Sequence, residues 1–322
     1  MMRAYFALAC ILGAFAFESA GAQTYPSQPV RIVVPFAAGG AVDSVARIVG
    51  QKMSESFGQP VVIENKPGAG GNLAAETVAR AAPDGYTILL TTNGHAISPS
   101  LYRMLPFDVM KDFIPVTQLI ESPLLLIASN KLSVDSLKDL VALAKQKPGS
   151  LNYGSTGVGN PLHLSMEMLK NATNMNIAAV PYRGDAPLNT ALIAGEVDIA
   201  IVPVATGRAN VENKLVKGLA VTTAQRSKAM PDLPTIAEQG VSGFDTGSWQ
   251  GFFVPANTPR DIVQRIYQET KKALSAPDVR ERLKAFVAEP VANEPEVFAQ
   301  KFKDDVAKYA KIVKDSNIPM QN

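Results

Sequence analysis

The 322-residue chain holds a single cysteine, Cys10, and two histidines, His95 and His163. Cys10 lies inside an apolar run from Ala4 to Phe17, which follows Arg3 and precedes Ala20-Gly21-Ala22. That order reads as a secretory signal peptide over residues 1–22, cleaved between Ala22 and Gln23. The lead ahead of Cys10 is too short for a lipoprotein cleavage site. The mature chain then has no cysteine, which excludes disulfides and thiol chemistry. Two histidines without a cysteine exclude a histidine-rich metal site, so neither a metal nor a cofactor is expected. The N-terminal run is also too short for a stable membrane span, and no other segment approaches the required length. An exported, soluble protein is expected.

An excess of charge of one sign is missing too. Lysine and arginine total 31 and aspartate and glutamate 29, a formal net charge of +2. Removing residues 1–22 takes away Arg3 and Glu18 and leaves that balance unchanged. Without a basic cluster there is no electrostatic footprint for nucleic acid. Gly154-Ser155-Thr156-Gly157-Val158-Gly159 spaces its glycines G-x-x-G-x-G, the wrong order for a dinucleotide fingerprint, and no loop ends in the Lys-Ser/Thr of a P-loop. Ser155 is not set in G-x-S-x-G, so a nucleophile elbow is unsupported. A secreted hydrolase using Ser155 and His163 remains a competing reading without that motif.

What is present is one design used three times: an apolar strand, a loop of small residues, then an amphipathic helix. Val30 to Asp43 has the β-branched Ile32, Val33 and Val34, then Ala37 to Gly40, then Val42, Val45, Ala46, Val49, Met53 and Phe57 at helical spacing. Leu151 to Gly159 repeats it, with Asn160-Pro161 as a helix start and Leu162, Met166 and Leu169 on one side. Ala178 to Tyr182 followed by Arg183-Gly184-Asp185 repeats it again, and Arg183 is the only cation in the three loops. Each loop brings the amides of a helix start to the carboxyl edge of a strand, where open α/β folds bind ligands. That is an anion site in outline. Gly-rich turns also serve merely to reverse the chain, and this alternative stays open.

The remaining segments sketch two α/β lobes. Gln59–Glu64 and Tyr86–Thr91 read as strands, with Asn93, Gly94 and His95 in a loop behind the second. There His95 either orients a ligand or is a surface hydrogen-bonding residue. Residues 107–119 read as irregular, broken by Pro106 and Pro115. Pro123 to Ser129 reads as a first crossing between lobes, with Ser133 capping the helix behind it, and Gly251 to Pro255 as the crossing back. Two crossings imply a hinge, and loops facing over a cleft imply closure on a ligand.

The motifs P-F-A-A-G-G-x-x-D at Pro35–Asp43, N-x-P-G-A-G-G at Asn65–Gly71, A-P-D-G-Y-T at Ala82–Thr87, H-A-I-S-P-S-L-Y at His95–Tyr102, Y-G-S-T-G, V-P-Y-R-G and S-W-x-G-x-F-x-P at Ser248–Pro255 occur in this order. Together they resemble the Bug family, periplasmic solute-binding proteins of tripartite tricarboxylate transporters. The resemblance covers essentially the whole mature chain. It implies an α/β, two-lobed periplasmic-binding-protein fold of the second type, with lobe 1 at residues 23–124 plus 247–322 and lobe 2 at 125–246. It also implies a periplasmic, monomeric carrier with no enzymatic activity, partnered by a small organic carboxylate and by membrane permease subunits. A ligand-sensing partner of a membrane signalling protein is the alternative. Carboxylate contacts carry over to Phe36, Ala38, Gly39 and Gly40 and to Ser155, Thr156 and Gly159, with Asn93, His95, Asn160 and His163 nearby. Tyr182, Arg183 and Gly184 shape the distal end. Asp43 is either a ligand contact or a first-turn helix acid. Many relatives read V-D-V-M-F-D where this chain has Val197–Val202. Val202 in place of the acid argues against an amino-acid ligand and for a simple or aromatic carboxylate.

Overall fold

The computed structural model describes residues 25–157, 159–182 and 184–321. The expected signal peptide lies outside them.

Strand β1 (Val30–Val34) lies between β2 (Val61–Asn65) and β3 (Thr87–Thr92), all parallel. Its side chains alternate between two cores. Val30, Ile32 and Val34 pack with helix α1 (Ala41–Phe57), while Val33 joins Ala74 and Val78 of helix α2 (Asn72–Ala79) on the other face. Covered on both faces, the strand is apolar from Ile32 to Val34, and its one polar residue, Arg31, pairs with Glu64 of β2 at 2.9 Å.

The long strand β4 (Phe113–Ser129) organises the rest. From Phe113 to Pro123 it pairs antiparallel with β9 (Gly247–Pro255), which also pairs with β3. From Leu124 onward it runs between β7 (Ile199–Pro203) and β8 (Val216–Val221). Beyond β7 the sheet continues in parallel through β5 (Leu151–Ser155) and β6 (Ile177–Pro181). The order is β2-β1-β3-β9-β4-β7-β5-β6, with β8 and the short β10 (Glu289–Pro290) also pairing with β4. In the second half Leu124, Leu126, Ala128, Ile199 and Ile201 face one core, and Leu125, Ile127, Ala200 and Val202 the other.

Three readings of the sequence change here. Residues 113–119 are strand, because Pro115 is absorbed at a register shift in the β4–β9 ladder instead of ending it. The helix α4 (Leu137–Gln146) is capped by Ser136, whose hydroxyl accepts the Asp139 amide at 3.1 Å, and not by Ser133. The return crossing precedes Gly251–Pro255: β9 is already paired with β3 and β4 there, and the chain comes back between Val221 and Gly247. At that point Thr222 donates its amide to Leu124 O and accepts the Thr246 amide, each at 3.0 Å.

Candidate functional site

The loop after β1 leaves Phe36 to Gly40 exposed, and α1 begins behind Gly40 with no side-chain cap. The third helical residue, Asp43, reaches back instead. Its Oδ2 accepts the Gly39 amide at 2.8 Å and Arg47 Nε at 2.9 Å, and its Oδ1 accepts Asn65 Nδ2 at 2.9 Å. Asn65 Nδ2 also donates to Phe36 O at 2.9 Å, tying both ends of the loop to one network. Asp43 is 2% exposed. Burial alone would raise its pKa, yet the bonds from Arg47, Gly39 and Asn65 outweigh it and hold the carboxyl at about 2. The carboxylate is thus ionised, neutralised by Arg47 and fully engaged in shaping the loop.

The loop after β5 repeats this arrangement with other residues. Helix α5 (Pro161–Thr173) is capped by Asn160, whose Oδ1 accepts the His163 amide at 2.8 Å and whose Nδ2 donates to Thr156 Oγ1 at 3.1 Å. The third helical residue, His163, again reaches back, its Nδ1 accepting the Gly159 amide at 3.2 Å. That bond assigns the proton to Nε2 of a neutral ring. Burial, helped by Lys170 and opposed by Glu167, keeps the His163 pKa below the ordinary value. Gly39 (φ +85°) and Gly159 (φ +78°) both take the left-handed conformation that turns their amides toward these side chains.

Ser155 is buried and its hydroxyl donates to Gly157 O at 3.2 Å. Among the described residues no hydrogen bond joins Ser155 to His163, so the hydrolase pairing is not assembled. Tyr182, half-buried, donates its amide to Ser155 O at 2.7 Å, which brings the loop after β6 beside the loop after β5. Gly184 opens helix α6 (Asp185–Ala194), and Arg183 lies outside the described residues.

The two halves of the sheet meet at these same edges. A β-carbon built on Gly159 would lie 2.5 and 2.8 Å from the methyls of Leu101, in helix α3 (Gly94–Leu101) behind β3. Leu164 of α5 is buried with Leu101, Trp249 and Phe253, and Asn171 donates to Ser316 Oγ at 2.9 Å at the end of helix α10 (Pro295–Asp315). The loop after β5 is therefore seated against the carboxyl edge of the β1–β3 half.

Three expected ligand contacts are placed in the interior instead. His95 sits in α3, not in a loop, because the Thr92 hydroxyl accepts the Gly94 amide at 3.2 Å and starts the helix at once. It is 4% exposed among Phe107, Phe113, Phe253 and Phe302, and burial pushes its pKa down to about 3. Asn93, fully buried, donates to Gly247 O at 3.1 Å and Tyr309 Oη at 2.9 Å. Val202, also fully buried, packs in the core under β7. Gly39 and Gly159 stay in their loops, but their amides are taken by Asp43 and His163. Arg47, Asn65 and Leu101 pack on or bond to these loops and are not among the expected contacts; Asn65 and Leu101 stand in the quoted motifs, and the i,i+4 spacing of Asp43 and Arg47 is a usable signal for the third.

Among the described residues no cluster of His, Cys, Asp or Glu is suited to a metal ion, and no helix is long and apolar enough to cross a membrane.

Comparison with known proteins agrees with the fold. The family described as "Tripartite tricarboxylate transporter family receptor", TctC, matches residues 45–318. Among solved structures the chain is similar to the periplasmic binding protein BugD, at 35% identity and a TM-score of 0.73, over 92% of this chain and 100% of that one. It is also similar to Rpa4515 from R. palustris with adipate, at 36% identity and a TM-score of 0.76, over 92% and 100% of the two chains. A third similar structure is MatC from Rhodopseudomonas palustris with bound malate, at 34% identity and a TM-score of 0.72, over 90% and 100%.

Proposed function

Because the chain belongs to the TctC family of tripartite tricarboxylate transporter receptors, periplasmic solute-binding proteins and not enzymes, we propose that it captures a small organic carboxylate and delivers it to the permease subunits of such a transporter. The acid is held by backbone amides from the loops after β1 and β5. On the first side these are Phe36, Ala38, Gly40 and the opening turn of α1. On the second they are Ser155 and Thr156, with Tyr182, Arg183 and Gly184 at the distal end. The lobes are residues 23–124 with 247–322 and residues 125–246, and the chain reaches the periplasm on a signal peptide cut near Ala22.

The observation that carries this reading is the treatment of Asp43. A helix start ordinarily welcomes an acid, and here the acid present is neutralised by Arg47 and turned onto Gly39. The amides at the start of α1 keep no side-chain cap and remain unspent for a ligand anion. Each hydrogen bond to a charged acceptor contributes about 1.5–3 kcal/mol, so a few amides suffice without a cage of arginines. Adipate and malate in the two related structures are both dicarboxylates, and ligands of that class are the first to try. The same reading gives His163 and Asn160 the role of shaping the second loop.

Calorimetric titration of the mature chain, unfolded and refolded to strip bound solute, tests the proposal with a panel of mono-, di- and tricarboxylates, aromatic acids and amino acids. One-to-one binding of at least one carboxylate class, with the compound recovered intact, is expected. Absence of binding by every acid, or turnover of the bound one, would overturn it.

A further inference from the structure

A cavity of about 440 Å³, lined by none of these loop residues, lies between helix α7 (Val204–Glu212), the segment around Lys228, helix α9 (Pro277–Lys284) and the turn into β10. That size is typical of small-molecule sites. Its lining combines an apolar floor of Ala229, Val287, Ala288 and Pro290 with four cations, Arg208, Lys228, Arg280 and Lys284, and one acid, Glu289.

Three of the four cations have exposed carboxylate partners: Arg208 with Glu212 at 3.4 Å, Lys228 with Glu289 at 3.0 Å and Lys284 with Glu281 at 2.7 Å. Such surface pairs contribute little and exchange readily for another anion. Arg280 has no carboxylate partner among the described residues; its Nε donates only to Leu274 O at 3.3 Å. A guanidinium without a carboxylate partner, lining a cavity with an apolar floor, is an anchor for an acid group.

The floor is itself built with effort. Val287 stands at φ +49°, a backbone conformation costly for a β-branched residue. Its side chain packs against the core formed by Leu125, Val202, Val204 and Val216, in the other half of the sheet. The turn from α9 is thus held across to the β7–β8 side, and Lys228–Glu289 spans the same junction.

We propose that this cavity is a second binding site for a small amphiphilic organic anion, its acid group at Arg280 and Lys284 and its apolar body on Ala229 and Val287. An occupant touches both halves of the molecule and therefore favours whichever relative position of the two leaves the cavity intact.

The test uses the folded mature chain and the fluorescent sulfonate 1-anilinonaphthalene-8-sulfonate. Saturable, single-site fluorescence enhancement is expected, and it should persist at full amplitude with a saturating carboxylate in the loop site, which can change the dye's affinity but does not compete for its place. Arg280→Gln should weaken it about tenfold or more, the usual consequence of losing a charged hydrogen bond, and Arg280→Lys should restore most of it. Ala229→Trp, which fills the floor without changing charge, should abolish it. Circular dichroism and carboxylate titration should show all three variants folded and competent. Displacement of the dye by the carboxylate, equal affinity in Arg280→Gln and Ala229→Trp, or enhancement that never saturates would each overturn the assignment.

Discussion

Asp43 and His163 hold equivalent positions in the two halves of the molecule. Each is the third residue of its helix, and each accepts the amide of a left-handed glycine four positions earlier, Gly39 at 2.8 Å and Gly159 at 3.2 Å. One side chain is an acid and the other a base, so what the two loops share is a backbone shape and not a charge. The loops are set before a ligand arrives, which limits the ordering entropy that binding has to overcome.

Removing either side chain should therefore loosen a loop without touching the ligand. Asp43→Ala is expected to weaken carboxylate binding about tenfold, an effect of about 1.4 kcal/mol, while Asp43→Asn, which can still accept the Gly39 amide, should retain most of it. Titration calorimetry on the two variants checks the order. Equal affinity in Asp43→Ala and the parent would contradict the positioning role.

The same residue sets an acid limit. The Asp43 pKa is held at about 2, below its value in an unfolded chain, so the unfolded state binds the extra proton. Its contribution, about 2 kcal/mol, is complete above pH 4 and is lost as the pH falls toward 2. Denaturant unfolding between pH 5 and pH 2 should show this loss in the parent and not in Asp43→Asn.

His95 acts in a higher pH window. Its ring is neutral in the aromatic core with a pKa pushed down to about 3, and its Nε2 has no hydrogen-bond partner among the described residues. The unfolded chain gains a proton near pH 6.5, so stability declines from there toward pH 3, with a slope of up to about 1.4 kcal/mol per pH unit. His95→Phe keeps the ring stack and should flatten this slope while leaving carboxylate affinity unchanged. An unaltered slope, or loss of ligand binding, would show that the ring has another role.

Gly159 is fixed by its φ of +78° and by Leu101. Gly159→Ala meets a conformational cost of about 1 kcal/mol and presses a methyl into Leu101, so carboxylate affinity should fall by about tenfold. Trimming the obstacle in the double variant with Leu101→Ala should recover part of that loss. No recovery would mean that the contact between the two halves is incidental to binding.

Val202 can be assigned one of two roles, reading the ligand or packing the core. It is fully buried under β7, so Val202→Asp places an unpaired carboxylate in the core and should cost about 3 kcal/mol or more. Acquired binding of an amino acid with little loss of stability would restore the view that this position reads the ligand.

These cases show what the sequence carries and what it does not. The strand β1 and the helices α1 and α5 are legible, because the β-branched run Ile32–Val34, the apolar helix faces and the Asn160-Pro161 start are local signals, while β5 is legible only from the Gly-rich loop that follows it. The helical, buried place of His95 is not legible in the sequence, because Thr92 starts the helix immediately after the strand and the aromatic cage comes from residues as distant as Phe107, Phe253 and Phe302. Pro115 looked like a breaker because a register shift exists only in the paired ladder. The apolar Gly251–Pro255 looked like a crossing, although its composition reflects burial between β3 and β4. The use of the Gly39 and Gly159 amides by Asp43 and His163 depends on φ values that sequence spacing does not reveal.

The central claim is that loop amides hold the carboxylate, and amide-resolved NMR during a carboxylate titration tests it most directly. The amides of Ala38, Gly40, Ala41, Val42 and Thr156 should shift downfield together and saturate with the calorimetric affinity, while those of Gly39 and Gly159, already bonded within their loops, should move least. A ligand that binds with equal strength but shifts only amides outside these two loops would contradict the account.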